Sequence, residues 1–269
     1  MLYNQIVPTI LGSNISNAWA NAFMQCHKSP YGVLSPAIVR INCDSSDNEG
    51  MELSGIRQIV DTQLQGMFNK SLIQSNVETV AGTIFPESIW TLAQNDRHKF
   101  FQLYEKMLPL IRRKRANKLG VYFERMISYR DNENKKVNQL EHIIETWHSG
   151  NHRHSALQAG IFDPRVDHSN ARQQGFPCLQ QIVFYPNGSN GKDGLSVVAF
   201  YANQTLAEKA YGNYLGLYRL GRFMAKEMGL QMKEVVCIAS ALKLSDSLTK
   251  ACCEPTIKAI EAVLNNADN

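Results

Sequence analysis

The chain lacks the features that would place it quickly. None of its six cysteines (Cys26, Cys43, Cys178, Cys237, Cys252 and Cys253) forms a C-x-x-C pair, which argues against zinc-ribbon and thioredoxin-like readings. Cys252 and Cys253 are adjacent and make an awkward disulfide framework, so free thiols in a reducing compartment are expected. No apolar run approaches the roughly 20 residues a membrane span needs. Met1 to Gly12 carries neither a basic leader nor a long apolar core, so no signal peptide is expected there and the protein is read as cytoplasmic. Charge of one sign is also scarce: Lys+Arg 28 against Asp+Glu 24 gives +4, too little to argue for nucleic acid or membrane. Internal repeats and low-complexity tracts are missing.

Apolar material is plentiful. The chain has 269 residues, 44% of them hydrophobic and 19% charged, which supports a sizeable core and excludes a disordered chain. The length favours one large domain over residues 1–269. Pro36 to Cys43 reads as a strand, and Ile56, Ile59, Val60 and Leu64 mark a helix. Phe100, Leu103, Tyr104, Met107 and Leu110 form a second stripe, with Pro109 as a break or kink. The basic run Arg112, Arg113, Lys114, Arg115 and Lys118 comes next. No aromatic residues interleave with it, so a solvated helix end is favoured over a nucleic-acid patch. Val137, Leu140, Ile143, Ile144 and Trp147 make another helical stripe that stops near Gly150.

A long polar segment, Asn151 to Gly175, separates this helical half from a strand-rich one. Leu179 to Tyr185 and Leu195 to Tyr201 flank PNGSNGKDG and read as a hairpin with a long loop. A helix from about Gly212 to Met228, with Gly229 as its stop, carries Tyr214, Tyr218, Met224 and Met228 as core. Val235 to Ala239 reads as a buried strand, and Ile257, Ile260, Val263 and Leu264 as a last helix. The fold class expected is α+β, a mixed and largely antiparallel sheet with packed helices. His148, His152, His154 and His168 match no strong metal-ligand spacing, so no metal is assigned.

The sharpest chemical feature is Phe176-Pro177-Cys178 at the mouth of a strand, with Arg153, Arg165 and Arg172 upstream. A cysteine attacks as its thiolate, which nearby positive charge favours. The residues from Pro177 onward form an ordered series: PCLQQIVFYP, a second strand, then EKAYGNYLGLYRLGRFMAKEMGL. Upstream lie HRHSALQAGIFDP, Leu119-Gly120-Val121-Tyr122 and Val77-Glu78-Thr79-Val80-Ala81-Gly82. Taken together, this series resembles the thymidylate synthase superfamily, which includes pyrimidine hydroxymethylases. The resemblance spans roughly Val77 to Ser245.

The resemblance implies a thymidylate synthase-like fold and a pyrimidine-nucleotide C5 methylase or hydroxymethylase. Cys178 would be the nucleophile and Glu78 the proton relay. Arg153 and His154 (or His152) would hold phosphate, with Asn213, Tyr122 and Asn203 also contacting the pyrimidine mononucleotide. Asn213 offers a donor and an acceptor, which suits uracil's N3–H and O4. Because the family donates its arginine pair across a subunit interface, a homodimer is implied. The implied one-carbon donor is 5,10-methylenetetrahydrofolate. The family's histidine after the cysteine is Leu179 here, its thiolate-supporting arginine is Ala202, and its folate-contacting aspartate is Thr205. The sugar-gripping motif falls on Ala241 to Ser245, and Ile257 to Asn269 holds no counterpart of the folate-closing tail. Folate binding is therefore expected to be weak or absent. A catalytically altered nucleotide-binding or protein-interaction module is the alternative reading.

Overall fold

A computed structural model describes residues 7–44, 50–68, 76–114, 117–118, 120–150, 153–168, 177–188 and 191–267. In chain order the elements are β1 (Thr9–Gly12), α1 (Ile15–Lys28), β2 (Val33–Leu34), β3 (Ala37–Asn42), α2 (Ser54–Gln58), α3 (Gln65–Met67), α4 (Val77–Ile84), α5 (Glu87–Leu92) and α6 (Arg97–Ile111). They continue with α7 (Tyr122–Ile127), β4 (Tyr129–Arg130), β5 (Lys136–Val137), α8 (Gln139–Ser149), β6 (Gln158–Gly160) and α9 (Pro164–Asp167). Last come β7 (Leu179–Asn187), β8 (Gly194–Tyr201), β9 (Gln204–Thr205), α10 (Tyr211–Met228), β10 (Met232–Ala239), β11 (Leu242–Lys243) and α11 (Lys250–Ala267). Two π-helical turns, Ile59–Leu64 and Leu206–Ala210, lead into α3 and α10.

The architecture is mixed α/β. Six strands pair in the order β1-β3-β10-β8-β7-β6, with β1–β3 and β10–β8 parallel and the other neighbours antiparallel. The β7–β8 hairpin falls where strand chemistry and turn residues place it. A smaller sheet, β2-β11-β9, closes one end of the molecule. One buried apolar cluster runs from Ile10 to Ile260.

The helix ends obey local chemistry. Asn14, Asn76, Asp96 and Asn138 cap α1, α4, α6 and α8 by accepting backbone N–H groups of the first turn. Gly150 and Gly229 close α8 and α10 in the left-handed region, with φ of 70° at each. Helix α6 passes through Pro109 and ends two residues later at Ile111, so the proline marks a terminus rather than a break. Arg112 caps that end and pairs with Glu124 on α7, while Arg113 and Lys114 are exposed, as a solvated helix end requires. Arg115 lies outside the described residues. The segment expected to be merely polar, Asn151 to Gly175, holds a 3-10 turn, β6 and α9. Three residues of edge strand are too short to show a period of two. None of the described helices is long and apolar enough to cross a membrane.

Helix α10 is buried on nearly every side. Its glycines make that possible. A Cβ at Gly212 would stand 2.6 Å from Val80 Cβ, and one at Gly216 would stand 2.8 Å from the Ala81 carbonyl oxygen, both on α4. A Cβ at Gly221 would meet the Met232 sulfur at 2.7 Å on the sheet side. The four-residue spacing of Gly212 and Gly216 puts both on the face that receives α4.

The sheet has two unlike faces. Ile10, Val39, Ile41, Val235, Cys237, Val197, Ala199, Ile182 and Phe184 are buried on the side where α1 and α10 pack. The alternate residues point the other way, and the registers Ile38↔Ile238↔Phe200 and Arg40↔Val236↔Val198↔Val183 run across them. This second face is half-buried to exposed, with Leu11 at 61%, Tyr185 at 48% and Phe200 at 40% exposure.

Replacing Gly216 by Ala forces a methyl against a backbone oxygen, so Gly216→Ala should cost about 1–3 kcal/mol. Gly82→Ala, where nothing lies within 4 Å of the added carbon, should be neutral or stabilise by up to about 1 kcal/mol. Urea unfolding of the two variants checks this difference in sign.

Candidate active site around Cys178

Three chain segments meet where β7 begins. The Cys178 carbonyl accepts the Ala202 N–H at 2.9 Å, which stitches the start of β7 to the end of β8. The chain then forms β9, whose Gln204 and Thr205 pair with Leu242 and Lys243 of β11. Gln204 N–H donates to the Ala241 carbonyl and Ala207 N–H to the Leu244 carbonyl, each at 2.9 Å. The Ser245 hydroxyl donates to the Glu208 carboxylate, as does the Asp246 N–H at 3.1 Å. Residues 177–179, 201–210 and 242–246 are thus laced into one rim by main-chain and side-chain hydrogen bonds.

Cys178 is half-buried at this rim. Burial pushes its thiol above the ordinary range and Asp246 pushes the same way, while Lys209 and Lys243 oppose them. The other thiols differ. Cys26 and Cys43 are buried and pushed up to about 12, Cys237 is raised further, and Cys253 is raised to about 11, all chiefly by burial. Only Cys178 and Cys252 combine a free thiol with access to solvent.

Tyr122, the first residue of α7, belongs to the same cluster. Burial raises its phenol to about 12, with Cys178 adding to the rise and the backbone N–H groups of Leu179 and Cys178 opposing it. Gly120, two residues earlier, sits at φ 100°, a conformation that favours glycine and turns the chain into α7. Leu119 lies outside the described residues. Helix α7 is clamped from below. The Arg125 guanidinium forks onto Asp167 at 2.5 and 2.7 Å and donates to the Ile161 carbonyl at 3.0 Å. Gln139 spans the Arg125 and Gly160 carbonyls at 3.1 and 2.8 Å, which ties α7, α8 and β6 together.

The rim carries polar atoms that find no hydrogen-bond partner among the described residues. The Tyr201 hydroxyl, Asn203 Oδ1, Gln204 Nε2 and Glu208 Oε2 are all buried and unpaired within eight residues of chain. Leaving a buried polar atom unpaired costs roughly 1–3 kcal/mol, so such a concentration calls for a polar ligand or ordered water. Tyr201 and Gln204 are 0% and 2% exposed, and Gln204 accepts the Tyr214 hydroxyl at 3.1 Å, so this polar lining extends inward to α10. Asn213 is buried on the same helix, one residue before Tyr214.

The remaining sequence candidates lie elsewhere. Glu78 is on α4, held by Arg219 at 2.6 and 3.1 Å and by Arg57 at 3.1 Å. These guanidiniums, Arg219 first, hold its carboxyl below the usual range. It is not among the charged groups that act on the Cys178 thiol. Arg153 caps the 3-10 turn His154–Ala156, and both Arg153 and His154 are exposed. The His154 ring lies edge-on to Tyr185 at 5.7 Å, which sets this turn at the margin of the open sheet face. Arg165 pairs with Asp163 instead of approaching Cys178. His152, Arg172 and Phe176 fall outside the described residues. His148 contacts the Glu227 carbonyl and His168 the Phe162 ring, so these histidines are dispersed.

Sequence reasoning missed Glu208, Lys209, Lys243 and Asp246. The EK pair just before the glycine-bearing helix was visible. Nothing in its spacing, however, reveals that a π-helical turn ties Glu208 to Ser245 and Asp246 on the far side of the rim.

Asp167→Ala should destabilise the fold by about 3–5 kcal/mol, because it removes the carboxylate onto which the largely buried Arg125 guanidinium forks. The double variant Arg125→Met with Asp167→Leu should recover much of that loss. Denaturant midpoints of the two proteins give the comparison.

No protein-family model matches the chain, and no curated protein sequence matches it.

Proposed function

We propose that the chain binds a pyrimidine mononucleotide at the Cys178 rim and transfers a one-carbon unit to carbon 5 of the base. One observation carries this reading. The half-buried Cys178 thiol lies beside Tyr122, and its backbone is bonded to Ala202, next to Asn203, whose Oδ1 is buried without a partner among the described residues; the three follow the chain order that the thymidylate synthase resemblance implies. In the proposed step the thiolate adds to carbon 6 of the ring and the sulfur–carbon bond forms. The C5=C6 electron pair moves toward O4 as an enolate, and carbon 5 then attacks an electrophilic one-carbon unit, whose carbonyl π bond or bond to its carrier breaks and takes the electron pair. Loss of the C5 proton to solvent and expulsion of the Cys178 thiolate from carbon 6 then restore the C5=C6 double bond. Asn213, buried on α10 beside the polar lining, supplies the amide that suits a uracil edge.

5,10-Methylenetetrahydrofolate does not fit the residues present. The family's folate-contacting aspartate is Thr205, a buried residue paired with Lys243 in the small sheet, so no carboxylate stands there.

The open sheet face supports a homodimer. Its apolar centre of Ile38, Val236, Ile238, Val198 and Phe200 is bordered by the Arg153–His154 turn, which touches Tyr185. The resemblance implies that Arg153 would then serve the site in the other subunit. A second reading, a binding module that keeps the fold without the chemistry, is favoured by Glu78 being committed to two arginines and by the exposed, uncharged Ala202.

Intact-mass analysis after incubation with 5-fluoro-dUMP tests the proposal. The reading expects a mass gain of one nucleotide that disappears in Cys178→Ser. Saturable binding with no mass gain would favour the binding module. Absence of both would overturn the proposal. Sedimentation at micromolar concentration should give a dimer, and a stable monomer would remove the shared site.

A further inference from the structure

Strand β7 changes phase at its mouth. Ile182 and Phe184 are buried on the side where α1 and α10 pack, and a period of two counted back from them puts Gln180 and Cys178 inside and Leu179 outside. The reverse is found. Leu179 is 0% exposed and pairs with the buried Tyr201, while Gln180 and Cys178 are half-buried. The phase changes at a β-bulge between Leu179 and Gln181, where Gln180 has no residue opposite it on β8. Bulges of this kind bend a strand and re-aim its side chains, and they recur beside active sites.

We infer that the bulge at Gln180 brings the Cys178 thiol to the rim, and that Gln180 is the positioning residue of the nucleophile. The inference rests on the reading of Cys178 as a nucleophile and adds what holds its sulfur outside the core.

Two sets of hydrogen bonds hold the bulge. The Gln180 carbonyl accepts the N–H groups of Ile161 and Phe162 together, at 2.9 and 3.1 Å, which pins the extra residue to the chain that follows β6. The Gln180 side chain turns back along its own strand, where Nε2 donates to the Pro177 carbonyl and, at 3.4 Å, to the Cys178 carbonyl. The Cys178 carbonyl also accepts the Ala202 N–H at 2.9 Å, so this residue is gripped both from β7 and from the end of β8. The grip opposes a physical tendency. A cysteine behaves as a small hydrophobe, and Cys178 already packs against the apolar cluster. A one-residue slip of phase would exchange it with Leu179. The side chain at position 180 biases that choice. A glutamine amide belongs outside, in reach of the two carbonyls. An apolar β-branched residue there would continue the buried row of Phe184 and Ile182 and draw Cys178 into the core with it.

The test is iodoacetamide labelling of the native protein at one alkaline pH, read out by peptide mapping, with the exposed Cys252 as reference. Gln180→Val should slow labelling of Cys178 about tenfold, because a buried thiol is inert, and leave Cys252 unchanged. Gln180→Asn, whose amide still serves local carbonyls from outside the core, should stay within about twofold of wild type. A substitution that merely loosened the fold would act in the other direction, speeding Cys178 and opening the buried Cys26 and Cys237 to the reagent as well. Labelling of Cys178 in Gln180→Val as fast as in wild type, or faster, would overturn the inference while leaving the nucleophile reading intact. Slowed labelling in Gln180→Val, in a protein whose wild type forms no 5-fluoro-dUMP adduct, would sustain the inference and sink the proposed reaction instead.

Discussion

The close approach of α10 to its neighbours is the constraint on which the rest of the molecule depends. A helix buried on nearly all sides can sit against α4 and the sheet at once only where side chains are withheld, and Gly212, Gly216 and Gly221 withhold them. Its position then fixes everything at its ends. At the C-terminal end, Trp147 donates to the Met228 carbonyl at 2.7 Å, and Arg97 bridges Glu141 and Glu227, which locks α6 and α8 to α10. At the N-terminal end the chain enters through the π-helical turn whose Glu208 is bonded to Ser245 and Asp246. Packing at one end of a helix and chemistry at the other are parts of the same geometry.

Electrostatics divides the charged residues into two populations. Arg57, Arg97, Arg125 and Arg219 are committed to carboxylates by short, often forked hydrogen bonds, and their carboxylates are committed in return. These pairs hold elements together and leave little charge free. Around Cys178 the balance differs, because burial, one carboxylate and two lysines pull the thiol in opposite directions. The unpaired polar atoms of Tyr201, Asn203, Gln204 and Glu208 lie beside that balance. A folded protein tolerates such atoms where a ligand completes them.

Much of this organisation could be read from the chain alone, and the reasons are local. The β7–β8 hairpin is written in alternating apolar residues and a glycine-rich turn. Gly150 and Gly229 end helices because only a left-handed residue fits there. Cys178 stood out because a proline precedes it and a strand begins after it. The less legible parts depend on partners distant in sequence. Glu78 looked like a free carboxylate until Arg57 and Arg219, 21 and 141 residues away, were seen to hold it. Glu208 meets Ser245 across 37 residues, and no periodicity encodes that contact. A π-helical turn adds one residue to a helical register and so shifts side chains off the face that a 3.6-residue period assigns them.

The central claim is that residues 177–179, 201–210 and 242–246 form one ligand site. Hydrogen–deuterium exchange with and without saturating dUMP measures that most directly. The account predicts slowed exchange confined to these three segments, the start of α7 and the first turn of α10, with the C-terminal end of α10 unchanged. Protection that falls on the basic residues after α6, or on the open sheet face alone, would contradict it.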